Sequence, residues 1–110
     1  MHLVVIRRAL YQDRPWVAAS LLQAFAQAQR LGWERLQGPG ALRIMLPWLT
    51  REIEATTALI GPNHWKQGFA DNYAILDTMC TYHHEQGLSE RRLSVEELFA
   101  RETHEITLGY

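Results

Sequence analysis

Residues 15–37 read PWVAASLLQAFAQAQRLGWERLQ, a long stretch in which apolar residues return at helical spacing. One row follows the three- and four-residue spacing of an α-helix: Val17, Leu21, Ala24, Ala28 and Leu31. Further large residues widen this row beyond the stripe that a surface helix carries: Leu22, Phe25, Trp33 and Leu36. We expect Asp13 to cap the helix and Gly38-Pro39-Gly40 to end it. More than one face of this helix must therefore be covered.

The rest of the chain predicts shorter helices, so the expected fold class is mainly α, with about four helices. We expect a short helix over 41–46 and a second that restarts at Pro47 and ends at Gly61-Pro62. Apolar residues at helical spacing predict a further helix over 69–86, with Gly87 just after its end.

Two local features complete this outline. Ser94-Val95-Glu96-Glu97 has the form of a capping box, in which the first and last residues bond to each other's backbone, and it predicts a short helix through Phe99. The loop over 63–68 carries Trp65, which we expect to pack back onto the helices.

Leu3-Val4-Val5-Ile6 is an unbroken apolar run rich in β-branched residues, and it predicts one N-terminal strand. A strand cannot leave its backbone donors and acceptors unpaired, so it needs a sheet partner. Either the chain pairs with a copy of itself or the strand belongs to a larger sheet. Together with the wide apolar helix faces, this edge predicts self-association, with a homodimer as the expected state.

The composition is that of an ordinary globular protein. The 110 residues fit one small domain, and the net charge of −1 provides no positive field for nucleic acid or anionic membrane, so we expect neither partner. No segment reaches the roughly 18 consecutive apolar residues of a spanning helix. Cys80 is alone, which rules out an internal disulfide and favours a cytoplasmic location.

The residues that suggest metal or nucleophile chemistry have better structural explanations. His83 and His84 are adjacent and point about 100° apart on a helix, whereas a helical zinc pair needs a spacing of three or four. We expect them to be solvent-facing or capping histidines near a helix end, and we expect no metal site. Cys80 is expected to be a small core residue. The glycines form no phosphate-binding fingerprint, so no nucleotide or other cofactor is expected.

Arginines and tryptophans leave alternatives open. Two arginine pairs have the charge to bind a carboxylate, although paired surface arginines usually do nothing so specific: Arg7 with Arg8, and Arg91 with Arg92. Four tryptophans are many for this length, and they are interpreted either as packing anchors between helices or as an aromatic platform for a ligand: Trp16, Trp33, Trp48 and Trp65.

Several strings, taken in order, resemble the C-terminal portion of 4,5-dihydroxyphthalate decarboxylase-like proteins. The resemblance covers roughly residues 1 to 100. The strings that carry it are Met1-His2, Val4-Val5-Ile6-Arg7-Arg8, Pro15-Trp16-Val17-Ala18, Ala41-Leu42-Arg43, Met45-Leu46-Pro47-Trp48-Leu49, Tyr82-His83-His84-Glu85-Gln86-Gly87-Leu88 and Glu96-Glu97-Leu98-Phe99.

This resemblance implies a fold like the type II periplasmic solute-binding proteins, with two α/β lobes and a ligand cleft between them. The family's named activity removes carbon dioxide from an aromatic diacid to give protocatechuate. Residues 1–110 would then form a C-terminal fragment that lacks full activity alone. His2, at the start of the returning strand, is the expected proton donor, unless it is an ordinary histidine in a frayed terminus. Arg7 is the expected partner of the substrate carboxylate.

Two functions compete with the decarboxylase fragment. One is a binding module that captures an aromatic acid without chemistry, and the other is a small helical protein whose dimer is itself functional.

Overall fold

The computed structural model describes residues 2–38 and 44–108 of the chain. Five α-helices and one 3₁₀ turn follow each other through these residues, and none of them belongs to a strand, so the mainly α prediction is confirmed. The elements are α1 (Arg8–Asp13), α2 (Trp16–Gln37), α3 (Leu49–Ile60), α4 (Phe69–Glu85), α5 (Val95–Leu98) and the 3₁₀ turn (Arg101–Thr103).

The N-terminal strand predicted over Leu3-Val4-Val5-Ile6 is wrong for this chain. Residues 2–7 have no regular structure, and the helix α1 begins directly after them. An isolated strand cannot form because its backbone groups have nothing to pair with. The predicted cap is also wrong: Asp13 lies at the end of α1, and its carboxylate accepts a bond from Arg14 Nε at 3.1 Å.

The long helix α2 occupies the predicted stretch. Pro15 precedes it in helical conformation (φ −57°, ψ −32°), so the fixed ring angle of proline starts the helix without a side-chain cap. The helix ends where Gly38 turns to an extended conformation (φ −61°, ψ 137°). This φ is ordinary, so the restriction that proline imposes on the preceding residue explains the end of the helix, and a left-handed glycine is not required.

Both later helix ends follow the sequence signals. The helix α3 runs from Leu49 to Ile60 and ends at Gly61, whose φ of +85° favours glycine. After α4, Gly87 has a φ of +72° and accommodates the predicted turn. The short helix predicted over 41–46 is not formed at 44–46, and its first half lies outside the described residues.

The core lies between α4 and α5. Leu76 and Cys80 are buried on one face of α4, and Val95, the first residue of α5, is fully buried against them. Four partly buried apolar residues pack around this cluster: Phe69, Met79, Leu93 and Phe99. Cys80 is therefore the small core residue that the sequence predicts.

Polar contacts fix α5 on α4. Ser94 and Glu97 form the predicted capping box, and the Glu97 carboxylate also accepts two bonds from Arg91, both at 2.9 Å. Arg92 binds Asp77 of α4. The bond from Arg91 holds the pKa of Glu97 below its ordinary value of 4.5. Two of the four arginines considered for a substrate carboxylate are thus engaged by the chain's own carboxylates.

The helices form an open arrangement instead of a bundle. Extended helix contacts join α1 to α2, α2 to the 3₁₀ turn and α4 to α5. Across the described residues, the three longest helices share no extended interface with one another. The radius of gyration is 17.3 Å, compared with about 13 Å for a compact chain of this length. The accessible surface is 9037 Å², compared with about 6,200 Å² for a compact monomer of this mass.

The core predicts a strong contrast between two neighbouring residues of α4. Leu76→Ala should lower the free energy of unfolding by about 2–5 kcal/mol, because it leaves a cavity beside Val95. Ile75→Ala should change it by no more than about 0.5 kcal/mol, since Ile75 is 58% exposed. Urea unfolding followed by circular dichroism measures both. Equal effects at the two positions would contradict the core assigned to this face.

The contact between Arg91 and Glu97 predicts a dependence of stability on pH. Because the pKa of Glu97 is lowered in the folded state, the folded protein binds fewer protons than the unfolded chain in acid. Stability from this contact is therefore present above pH 4.5 and lost as the pH falls below it. Urea midpoints measured between neutral pH and acid should fall less steeply for Glu97→Gln than for the parent. Glu90→Gln, at an exposed position outside this contact, should keep the parent's slope.

Candidate functional site

One concave surface among the described residues is an open groove of about 460 Å³ between α3 and the C-terminal half of α2. Most of its lining is apolar or aromatic, with one charged side chain, that of Glu52. The lining residues are Trp33, Glu52, Ile53, Thr56, Ile60, His64 and Trp65.

The groove is built from one helix face and one turn. Ile53, Thr56 and Ile60 lie at three- and four-residue spacing and therefore share a side of α3. The positive φ of Gly61 then turns the chain back toward α2. As a result, His64 meets Trp33 edge-on, with ring centroids 5.3 Å apart.

Two hydrogen bonds hold the turn in place. His64 Nδ1 lies 3.1 Å from the carbonyl oxygen of Gly61, and Gln29 Nε2 on α2 donates to the carbonyl oxygen of Trp65 at 2.7 Å. A carbonyl oxygen only accepts, so Nδ1 of His64 carries the proton. In the neutral ring, Nε2 is then left as an acceptor.

The chemistry of the groove favours ligands that carry positive charge. The Glu52 carboxylate accepts hydrogen bonds and carries negative charge, whereas the Thr56 hydroxyl and the indole N–H groups of Trp33 and Trp65 can donate. The faces of Trp33 and Trp65 attract cations as well as apolar groups. A dicarboxylate, which is bound best by cationic donors, finds no lysine or arginine among these lining residues.

The structure does not bring the predicted site residues together. His2 lies exposed in the irregular N-terminal segment, and Arg7 lies exposed at the start of α1. Neither side chain forms a hydrogen bond or ion pair with another described residue, and neither lines the groove. Their roles as proton donor and carboxylate partner stay predictions.

The histidines at the end of α4 face the solvent, one of the two positions that the sequence predicts for them. His83 and His84 are exposed, and His84 Nδ1 bonds the carbonyl oxygen of Ser89 at 3.1 Å. Within residues 2–38 and 44–108, no three histidine, cysteine, aspartate or glutamate side chains are grouped so that they could share a metal ion. In the same ranges, no helix combines the length and the hydropathy needed to cross a bilayer.

The tryptophans correct one sequence interpretation. Trp16, Trp48 and Trp65 are each more than 60% exposed, so they are not packing anchors between helices, and the indole of Trp65 does not pack back onto the body. Trp33 alone of the four is partly buried. The sequence analysis did not predict the grouping of Trp33, His64 and Trp65. The feature that could have indicated it is the apolar face of α3 followed by a glycine turn.

Comparison with known proteins gives a partial match. No family model matches the chain. A curated relative, the 4,5-dihydroxyphthalate decarboxylase of Comamonas testosteroni, is 32% identical over 99 residues. These residues make up 90% of this chain but 30% of the relative. The chain is therefore similar to one part of that protein and spans about 30% of its length.

The turn that closes the groove generates a prediction for His64. His64→Ala should lower the free energy of unfolding by about 1 kcal/mol, because it removes a partly buried hydrogen bond and an aromatic contact. It should also shift the tryptophan fluorescence emission to longer wavelength, because Trp33 becomes more exposed to water. His83→Ala, at an exposed position on α4, is the matched control and should change stability by less than about 0.5 kcal/mol. Identical behaviour of the two variants would contradict the groove geometry.

Proposed function

We propose that this chain is the helical C-terminal portion of a 4,5-dihydroxyphthalate decarboxylase-like protein and serves there as scaffold, without a complete catalytic site of its own. The observation that carries this proposal is the 32% identity over 99 residues, nine-tenths of the chain, with a relative of that name. The proposal includes the two-lobed fold that the resemblance implies, in which these helices cover one part of a larger α/β body.

The open packing of the helices supports a scaffold role. In a two-lobed protein, the apolar faces of α2 and α3 would be covered by the remainder of the fold. The exposed Leu3-Val4-Val5-Ile6 segment would become a strand of its sheet. Burial of apolar surface is the main stabilising term in folding. Both features therefore support a chain whose apolar faces are buried against another part of a larger protein.

The chemistry of the described residues supports the absence of a complete site. Decarboxylation of an electron-rich ring requires a carboxylate held out of the ring plane, a proton donor at the ring carbon and stabilisation of developing charge. No described lysine or arginine lines the groove, and Arg91 and Arg92 are paired internally. We infer that His2 and Arg7 would contribute to a site only together with groups from another part of the protein.

The groove favours a second candidate function, a module that binds a ligand without chemistry. Trp33 and Trp65 flank the open groove, whose volume of about 460 Å³ is within the size range of small-ligand sites. An aromatic acid would bind there through stacking on the indoles, although Glu52 opposes its carboxylate. This candidate is therefore weaker for diacids than for uncharged phenols.

An assay with 4,5-dihydroxyphthalate tests the leading proposal. We expect the isolated chain to form protocatechuate no faster than buffer, as measured by chromatography of the product. His2→Ala and Arg7→Ala should not change this result. Turnover above buffer that disappears in His2→Ala but persists in His83→Ala would show that the chain carries its own catalytic site, and the scaffold proposal would then fail.

A graft tests the structural part of the same proposal. The stretch of the Comamonas protein that aligns with this chain is replaced by residues of this chain, and the chimera is assayed for decarboxylation. We expect a folded chimera with measurable turnover, because a scaffold element should transfer. A chimera that is folded by circular dichroism but is as inactive as buffer would contradict structural equivalence.

A further inference from the structure

The N-terminal segment of residues 2–7, here named the arm, carries a run of exposed apolar side chains. Leu3, Val4 and Val5 are 54%, 65% and 89% exposed, and no backbone bond of the arm to another element is present before Arg7. Water is a poor environment for three consecutive large apolar side chains, so a binding surface for the arm is expected.

The groove lined by Trp33, Ile60 and Trp65 is an exposed apolar surface, and its charge is opposite to that of the arm. Its one charged side chain is Glu52, whereas the arm ends in Arg7 and is followed by Arg8. The groove is open to solvent, and Ile60, one of its lining residues, is 61% exposed. An extended apolar segment followed by a guanidinium matches such a groove in hydropathy, charge and shape.

The arm does not lie in the groove of its own chain. It leaves from α1, which precedes α2, whereas Trp33 lies in the C-terminal half of α2. No arm residue lines the groove. A second copy can present its arm there instead.

We propose that two copies of this chain form a symmetric dimer by exchanging arms, each arm lying in the groove of the other copy with Arg7 beside the partner's Glu52. The exchange is reciprocal, so a single two-fold contact type fills both grooves and covers both arms. The sites are incomplete in one copy, because the groove and the arm that fills it come from different chains.

The surface available is sufficient for such a dimer. The accessible surface of one chain exceeds that of a compact monomer of equal mass by about 2,800 Å². A stable interface of standard size covers about 800 Å² on each partner. An interface of that size would use about a third of the excess surface.

Two adjacent residues of α3 provide the first test. Sedimentation equilibrium of the parent should show a dimer that dissociates on dilution. Ile60→Asp should raise the dissociation constant at least about tenfold, since it places a carboxylate in the apolar groove beside Glu52. Leu59→Asp introduces the same charge one residue away, outside the groove, and should leave dimerisation unchanged. A parent that stays monomeric at millimolar concentration, or equal effects of the two variants, would overturn the proposal.

A charge exchange identifies the pair across the interface. Arg7→Glu and Glu52→Arg should each weaken the dimer, and the double variant should recover at least part of the loss because the opposite charges are restored. Glu54→Arg, at an exposed position of α3 outside the groove, is the control and should not weaken it. The contact of Arg7 with Glu52 would be contradicted if neither single variant weakened the dimer. It would also be contradicted if the double variant lost as much dimer stability as the two single losses added together.

Cross-linking decides between exchange and other arrangements. Val5→Cys in one preparation and Thr56→Cys in another should form a disulfide-linked dimer when mixed and oxidised, whereas Val5→Cys mixed with Leu59→Cys should not. Two outcomes would overturn the exchange. One is a disulfide within single chains of the double variant Val5→Cys with Thr56→Cys, and the other is the absence of a linked dimer in the mixture of single variants. None of these measurements involves dihydroxyphthalate, so their outcome is independent of the decarboxylase assay.

Discussion

The contact of Val95 with Leu76 and Cys80 is the constraint on which the described fold depends. It is the cluster in which side chains from separate helices are fully removed from water, and the capping box of Ser94 with Glu97 directs α5 onto it. Because α5 is a single turn, it has little helical stability of its own and depends on this burial.

The remaining long-range contacts extend from this core. Phe69, at the start of α4, stacks on His104 with ring centroids 4.1 Å apart, which holds the segment after α5 against the core. From that segment, Glu102 accepts a hydrogen bond from Tyr11 Oη at 2.7 Å, across 91 residues. Loss of α5 packing would therefore release the C-terminal segment, then its contact with α1, and would leave α2 without a partner at the 3₁₀ turn.

The sequence predicted the elements that local chemistry decides. Pro15 started α2, Gly61 and Gly87 ended their helices, and the capping box formed as its spacing requires. These features depend on a few neighbouring residues, so no knowledge of the tertiary structure is needed to place them. The core face of α4 was also predictable, because burial of Leu76 follows from helical periodicity alone.

The failed predictions depend on partners that the local sequence does not specify. The apolar run from Leu3 is suited to a strand, but no neighbouring strand is present in the described part of the chain to share backbone hydrogen bonds with it. Asp13 is the last residue of the short helix α1 and therefore does not cap α2. The tryptophans were expected to anchor helices, yet helices that do not pack along their lengths leave Trp48 and Trp65 exposed. A hydrophobic pattern indicates which side chains are suited to burial. It does not indicate which element or which molecule buries them.

The same arm enters both proposals, and it cannot serve both at once. In a two-lobed protein the arm would be a sheet strand with its backbone paired on both sides, and Glu52 would then face some other group. In the exchanged dimer its side chains lie in an apolar groove and its backbone is paired on one side at most. Backbone pairing across a complete sheet satisfies more polar groups than the groove does. The sheet arrangement should therefore prevail wherever a first lobe is present, and arm exchange should be the state of the chain on its own.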